Sequence, residues 1–281
     1  MQKIVELSSM KIKFQSYEVY VEIHNPQQNE TLVMLNGIMM STNSWKPFLK
    51  TLTKHFKVVL IDMLDQGQSS KLNDLKYDQS LQVEAIKEVV DQCELKNINL
   101  FGISYGGEVA MQFAIAYPSY IKKLLLFNTT SKTSDWLAEI GESWNRAAYN
   151  AEAYYATTIP TIYSPKFYQE KKSWMANRKE TLLQVFSNKE FTDAMIRLTN
   201  SAENHDVVNQ LHKITMPTLV VGSECDTITP FAEQEELARL IPNASLMKIL
   251  DTGHASMYEK PTMFITLILG FILNEQEEVV I

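Results

Sequence analysis

The chain has 281 residues, of which 45% are hydrophobic, and its formal net charge is −7. This length and apolar content are sufficient for one large α/β domain with an inserted subdomain, and they exclude a disordered chain. The acidic balance argues against a nucleic-acid partner, because phosphate binding requires clustered Lys and Arg.

The N-terminal part of the chain is predicted to contain three strands. They cover residues 4–7, 13–23 and 31–35, and the second has the alternation of a half-exposed antiparallel strand. Charged and apolar residues alternate over 1–14 without an apolar run of signal-peptide length. Export by that route is therefore not predicted.

Further along the chain, short apolar runs alternate with helical patterns. The runs at 58–62, 98–103, 123–127, 218–221 and 245–249 have the composition of buried strands. This alternation predicts a mostly parallel sheet with helices on both faces. The apolar segment 263–273 is shorter than the roughly 20 residues of a membrane span, so we expect a helix packed on the sheet and no membrane span.

Ser104 lies in a Gly-x-Ser-x-Gly turn between a predicted strand and a predicted helix. Such a sharp turn holds the serine in a strained backbone conformation, and the positions two before and two after it have room for almost no side chain. Gly102 and Gly106 meet that requirement. In this context the motif predicts a nucleophile elbow.

A serine nucleophile needs a base, and the base needs a third group that orients it. His254 follows the predicted strand at 245–249 on a loop that reaches the sheet edge, and it is the predicted base. Asp226 follows the predicted strand at 218–221 and is the predicted acid, with Glu224 and Asp251 in reserve. The histidines placed less favourably are His24, His55, His205 and His212.

Attack on an acyl carbonyl also creates an oxyanion that needs N–H donors. One predicted donor is the backbone N–H of Tyr105, directly after the nucleophile. The other is the N–H of Ile38, in the loop that begins Asn36-Gly37, where the glycine permits close backbone approach. Asn128, at the end of the next strand, is interpreted as a turn residue rather than as a second orienting group.

The long gap between the strands at 123–127 and 218–221 is rich in aromatic residues. A loop of that length without secondary structure is unusual in a compact domain, so 131–214 is predicted to be a helical insertion, and 1–130 with 215–281 the core. We expect a lid that lines an apolar pocket rather than only an extra packing layer. A basic cluster at 171–172 and 178–179 alternates with acids and is interpreted as a solvated helix face.

The chain contains no metal-binding or nucleotide-binding motif, so no metal and no cofactor are predicted. Two cysteines, Cys93 and Cys225, do not form a disulfide framework, which favours a reducing compartment and hence a cytoplasmic location. The oligomeric state is left open.

Taken together, these residues resemble the α/β-hydrolase fold family, in which the triad follows the chain order Ser104, Asp226, His254. The resemblance implies a mostly parallel, eight-stranded sheet with helices on both faces and a helical lid. Where the family commonly has His-Gly, this chain has Asn36-Gly37. The runs at 33–37 and 56–62, the second continued by residues 67–69, are similar to those of a subgroup that handles 3-hydroxyacyl thioesters. That subgroup includes transacylases between acyl carrier protein and coenzyme A and enzymes that condense such acyl chains into lipid precursors.

Three functions follow from these features. The first is a serine hydrolase that cleaves a carboxylic ester or thioester of a small to medium apolar acyl substrate through an acyl-enzyme on Ser104. The alternative is an acyltransferase that moves (3-hydroxy)acyl groups between thioester carriers or to a hydroxyl acceptor, with an acyl carrier as its partner. The third, a non-catalytic small-molecule receptor, is disfavoured, because a receptor has no use for a base aligned with a serine.

Overall fold

The computed structural model describes residues 7–73 and 75–274, and one sheet of eight strands forms the centre of this part of the chain. The strands are β1 (Leu7–Phe14), β2 (Tyr17–His24), β3 (Thr31–Leu35), β4 (Lys57–Asp62), β5 (Ile98–Ile103), β6 (Ile121–Phe127), β7 (Thr218–Ser223) and β8 (Ala244–Ile249). Their order is β1-β2-β4-β3-β5-β6-β7-β8. β2 runs antiparallel to both of its neighbours, β1 and β4, and all other neighbouring strands are parallel. The predicted eight-stranded, mostly parallel sheet is confirmed.

The N-terminal hairpin differs from the prediction. The predicted strand over 13–23 contains a chain reversal, because β1 ends at Phe14 and β2 begins at Tyr17, directly opposite it. Gln15 in the turn has a φ of 54°. The alternation of side chains continues through such a short turn, so the periodicity does not reveal the reversal. Residues 4–6 of the other predicted strand lie outside the described residues.

Eleven α-helices surround the sheet within the described ranges. They are α1 (Lys46–Leu52), α2 (Gln79–Gln92), α3 (Tyr105–Ala116), α4 (Asp135–Ala147), α5 (Ala151–Ile162), α6 (Pro165–Glu170), α7 (Lys172–Phe186), α8 (Lys189–Ser201), α9 (Phe231–Leu240), α10 (Ser256–Glu259) and α11 (Pro261–Leu273). The apolar segment 263–273 forms α11, as predicted. Every helix in these ranges falls short of the length and apolar content needed to traverse a bilayer.

The two faces of the sheet have separate apolar cores, because successive side chains of a strand point to opposite faces. In β3, Leu32 and Met34 join one core, while Val33 and Leu35 join the other. The first core is centred on aromatic rings from α1, α11 and the sheet, with centroids 5.1 to 6.3 Å apart. Its rings belong to Trp45, Phe48, Phe101, Phe127 and Phe264.

The carboxyl ends of the parallel strands share one edge, where open α/β sheets bind ligands. The loops that follow β3, β5, β6, β7 and β8 therefore meet there. Helices α4 to α8 all lie between β6 and β7 in the chain. The predicted insertion is helical, while its domain boundaries and its role as a lid stay predictions.

Candidate active site

Ser104 stands at the sharp turn between β5 and α3, with φ 53° and ψ −126°. A positive φ costs free energy in a residue other than glycine. The flanking glycines make the turn sterically accessible. A Cβ on Gly102 would lie 2.3 Å from the carbonyl oxygen of Gly106, and one on Gly106 would lie 2.6 Å from the carbonyl oxygen of Leu35. The turn thus requires both glycines.

Ser104, His254 and Asp226 form one hydrogen-bonded chain. The Nε2 atom of His254 lies 2.9 Å from Oγ of Ser104, and its Nδ1 atom lies 2.8 Å from Oδ2 of Asp226. The imidazole and the carboxylate are both buried. A proton on Nδ1 satisfies the carboxylate and leaves Nε2 to accept from the serine hydroxyl, which is the arrangement that general-base catalysis requires.

The carboxylate of Asp226 is held by several donors. Its Oδ1 accepts from the backbone N–H groups of Ile228 and Thr229, at 2.9 and 3.0 Å. Its Oδ2 accepts from the side chain of Asn128 at 2.9 Å. Burial by itself would raise the pKa of Asp226, but the neighbouring His254 and these donors outweigh burial and hold it below the ordinary value of 3.8. The side chain is therefore ionised at neutral pH.

Asn128 does more than the turn interpretation predicted. Its φ of 44° fits a turn. In addition, its Nδ2 donates to Ser223 Oγ at 2.9 Å as well as to Asp226, and its Oδ1 accepts from Ser256 Oγ at 2.8 Å. The side chain thereby joins the loops after β6, β7 and β8. The sequence feature that could have predicted this role is the position of Asn128 at the carboxyl end of the strand beside the elbow.

The reserve acids lie away from the imidazole. Glu224 accepts the backbone N–H of Asp251 at 2.9 Å, and Asp251 forms an exposed ion pair with Lys166 at 2.8 Å. Neither carboxylate hydrogen-bonds His254 within the described part of the chain. Asp226 is therefore the acid that the fold brings to the imidazole.

The other histidines have different surroundings. His24 on β2 pairs with Glu22 at 2.9 Å. His205 is buried against the carbonyl of Thr130, and burial lowers its pKa to about 4. His55 and His212 are exposed. His254, in contrast, lines the same cavity as Ser104.

The residues of the two predicted oxyanion donors line the cavity together with Ser104. Tyr105 is the first residue of α3, so its N–H has no acceptor within the helix. Ile38 follows Gly37 in the loop after β3, and a Cβ on Gly37 would be 3.5 Å from Cβ of Ser104. Ile38, Ser104 and Tyr105 line one cavity. Both residues therefore border the same cavity as Ser104, and their role as oxyanion donors stays a prediction.

Asn36 supports this loop from behind. Its Nδ2 donates to the carbonyl of Ile61 at 2.9 Å and to Oε1 of Gln66 at 3.1 Å, and its Oδ1 accepts from Nε1 of Trp45 at 2.7 Å. The residue is fully buried. The side chain in the family's usual histidine position therefore anchors the loop to β4 rather than facing a substrate.

A cavity of about 920 Å³ opens above Ser104. Helices α4 to α8 form what we call the roof, and they contribute Trp144, Tyr163 and Phe186 to the wall. What we call the floor consists of the loops at the carboxyl ends of the strands, including Asn128 and Asp226. Its cavity-lining residues are Gly37, Ile38, Ser104, Tyr105 and His254. The cavity is mostly apolar and has Ser104 at its base.

One part of the sequence interpretation is wrong for the roof. Of the basic cluster expected on a solvated helix face, Lys171 and Lys172 are exposed, but Arg178 lines the cavity. Helical periodicity on α7 turns Arg178 inward, while Lys172 faces solvent and the half-buried Lys179 pairs with Glu152 at 3.2 Å. The described ranges contain no cluster of His, Cys, Asp or Glu side chains suited to hold a metal ion.

The chain is similar to known hydrolases. A family model described as alpha/beta hydrolase fold matches residues 30–261. The crystal structure of MGS-M2, an alpha/beta hydrolase enzyme from a Medee basin deep-sea metagenome library, is 44% identical and superposes with a TM-score of 0.94. The match covers 97% of this chain and 100% of that chain.

Two curated relatives are more distant. RutD of Pseudomonas syringae pv. syringae (strain B728a), whose name assigns it provisionally as a carbamate hydrolase, is 25% identical over 92% of this chain and 100% of its own length. The poly(3-hydroxyalkanoate) depolymerase of Ectopseudomonas oleovorans is 26% identical over 89% of this chain and 86% of its own length. The two names state different substrates, so they do not identify one for this chain.

Proposed function

The chain belongs to the alpha/beta hydrolase fold family, and from that premise we propose that it is a serine hydrolase of carboxylic esters or thioesters. The observation that carries the proposal is the hydrogen-bonded chain from Ser104 through His254 to Asp226 at the base of an apolar cavity. A small-molecule receptor would gain nothing from a base aligned with a serine. The catalytic assignment of these three residues is part of the proposal.

In this proposal, Oγ of Ser104 attacks the acyl carbonyl while Nε2 of His254 takes the hydroxyl proton. The ionised Asp226 stabilises the resulting imidazolium. The oxyanion accepts from the N–H groups of Ile38 and Tyr105, where preorganised donors lower the barrier most. When the tetrahedral intermediate collapses, the leaving alkoxide or thiolate receives the proton from the imidazolium, and the acyl group remains on the serine.

Deacylation repeats these steps with water as the nucleophile. His254 takes a proton from the water as its oxygen attacks the acyl-enzyme, and then returns that proton to Oγ of Ser104. The products are the free acid and the restored enzyme. The apolar wall formed by Trp144 and Phe186 supports a small to medium apolar acyl group as substrate.

We propose water as the acceptor because the relatives reported above carry the names of hydrolases. Transfer to a thiol or hydroxyl acceptor uses the same acyl-enzyme, so it is an outcome of the test. Mass spectrometry of the products of a 3-hydroxyacyl thioester, with and without an acceptor thiol, separates the two. Free acid in both reactions supports a hydrolase, whereas a new thioester only with the thiol supports a transferase.

The decisive test of the proposal is Ser104→Ala. We expect loss of covalent labelling by a fluorophosphonate probe, and a fall of roughly 10,000-fold or more in kcat/KM for p-nitrophenyl esters, because the nucleophile is missing. Folding is checked by circular dichroism. The matched control is Ser44→Ala, which removes another cavity-lining serine and should leave labelling unchanged. Labelling that persists in Ser104→Ala excludes Ser104 as the nucleophile.

A further inference from the structure

Arg178 brings a cation into the roof of the cavity. It lies on α7 and lines the cavity together with Tyr258, which follows His254 by four residues. Its guanidinium carbon is 4.8 Å from the ring centroid of Tyr258 and 5.3 Å from that of Trp174. The two rings hold the guanidinium on the side of the cavity where the loop carrying the imidazole lies.

The guanidinium lacks an anionic partner. The ion pairs found among residues 7–73 and 75–274 do not include Arg178. Its Nε atom is buried and has no hydrogen-bond acceptor there. The hydroxyl of Tyr163, which also lines the cavity, is a neutral neighbour of the guanidinium. A buried donor without an acceptor is costly unless a ligand supplies one.

Other cations near the cavity are already engaged. Lys71, which also lines it, donates to the backbone carbonyls of Gln66, Gly67 and Ser69 at 2.8 to 3.1 Å. Arg197 on α8 forms a bidentate pair with Asp65. The acids that line the cavity are either exposed, where water and salt screen them, or already engaged. The exposed ones are Asp135, Glu139, Glu142, Glu190 and Glu203, while the buried Asp65 pairs with Arg197 and the buried Glu108 accepts from Gln79. Arg178 is therefore the cation placed to receive an anion inside.

On the basis of the proposed hydrolase function, we propose that the substrate is an ester with a terminal carboxylate, and that Arg178 binds that carboxylate. The planar guanidinium matches a carboxylate with two parallel hydrogen bonds, and the flanking rings fix its plane in advance. The apolar residues of the same cavity, such as Trp144 and Phe186, then contact the hydrocarbon part of the substrate. Arg178 acts in substrate binding and takes no part in bond breaking.

The test uses pairs of esters that differ only in this charge. One pair is mono-p-nitrophenyl suberate and its methyl ester, which places the carboxylate in the acyl half. The other is 4-(butanoyloxy)benzoate and its methyl ester, which places it in the alcohol half. We expect the wild-type protein to prefer the charged member of at least one pair. Arg178→Met should then lower kcat/KM for that member by about 10- to 100-fold, mainly through KM, since binding is lost in ground and transition states alike.

Two further variants sharpen the result. Arg178→Lys keeps the positive charge without the planar pair of N–H donors, so kcat/KM for the charged ester should be only partly restored relative to Arg178→Met. Arg146→Met removes an exposed arginine of α4 that pairs with Glu142, and should leave every ester unchanged. For the neutral member of each pair, kcat/KM should change less than about threefold in Arg178→Met, because that ester has no carboxylate for the guanidinium to bind.

The outcomes separate the two proposals. If the wild-type protein hydrolyses none of these esters and Ser104 is not labelled, the hydrolase proposal fails. If it hydrolyses both members of each pair equally well, or if Arg178→Met lowers kcat for charged and neutral esters alike, only the carboxylate inference fails. Should Arg178→Met not fold, the wild-type preference and the Arg178→Lys variant still decide the question.

Discussion

The floor and the roof of the cavity are held in place by different interactions. Backbone hydrogen bonds between strand ends position the floor: the N–H of Ser104 donates to Phe127 at 3.0 Å, and that of Asn128 donates to Val221 at 2.8 Å. The roof is attached largely through side chains, among them Arg197 with Asp65 and the hydroxyl of Tyr105 with Ser201.

This difference has a functional consequence. Backbone contacts do not depend on side-chain identity, so the geometry of the floor is independent of the side chains that the roof carries. The roof, by contrast, provides the side chains that contact the bulk of a substrate, such as Trp144, Tyr163 and Arg178. Under the proposed function, the floor specifies the reaction class and the roof the substrate class.

The largest expected effect belongs to the floor, in Asp226→Asn. An amide at this position leaves the imidazole in the wrong tautomer, so kcat should fall by about 10,000-fold while the protein stays folded. The measurement is kcat with a p-nitrophenyl ester and circular dichroism of the same sample. The control Glu224→Gln changes a nearby reserve acid that does not contact His254, and should stay within about twofold of wild type. The reverse pattern would assign the role to Glu224.

The next effect concerns the attachment of roof to floor. In Arg197→Met the carboxylate of Asp65, whose side chain is 0% exposed, loses its bidentate partner. An uncompensated buried charge should lower the free energy of unfolding by about 3 to 5 kcal/mol in urea titrations. The exposed pair of Arg146 and Glu142 provides the control, because Arg146→Met should cost at most about 1 kcal/mol. Equal losses in the two variants would mean that the buried pair does not hold the roof.

The smallest effect tests a polar chain that crosses between the two regions. Glu108 on α3 accepts from Gln79, which accepts from Gln112, and Gln112 contacts His205 just beyond α8. Burial raises the pKa of Glu108 from 4.5 to about 8. Between these values the folded protein keeps a proton that the unfolded chain has lost, so this group makes stability fall as pH rises from 4.5 to 8.

Glu108→Gln removes that dependence, since an amide does not ionise. We expect the variant to gain about 1 to 3 kcal/mol over wild type near pH 7.5 and little near pH 5, measured as the difference between their urea unfolding curves. Glu84→Gln, at an exposed position on α2, should show no such pH-dependent difference. If the free energies of unfolding of Glu108→Gln and wild type differed by the same amount at all pH values, Glu108 would ionise normally in the folded state.

Much of the floor was predictable because its requirements are local. Ser104 with Gly102 and Gly106 encodes one turn whose sterics allow few alternatives, and the alternation of strands and helices implies where the following loops end. Asp226 and His254 could be named because they follow strands whose carboxyl ends share an edge. The turn at Gln15 was missed, and 13–23 was predicted as one strand, since a two-residue turn preserves the alternation from which strands are predicted.

By itself, the sequence determined the sheet, the elbow and the order of the reacting side chains, because periodicity and glycine sterics act over a few residues. Only the tertiary structure decided that Asn128 holds Asp226 and that Arg178 faces the cavity while Lys171 faces water. Both contacts depend on how helices and loops distant in the chain pack against each other. The sequence of a single helix with mixed charges does not predict which of its faces becomes buried.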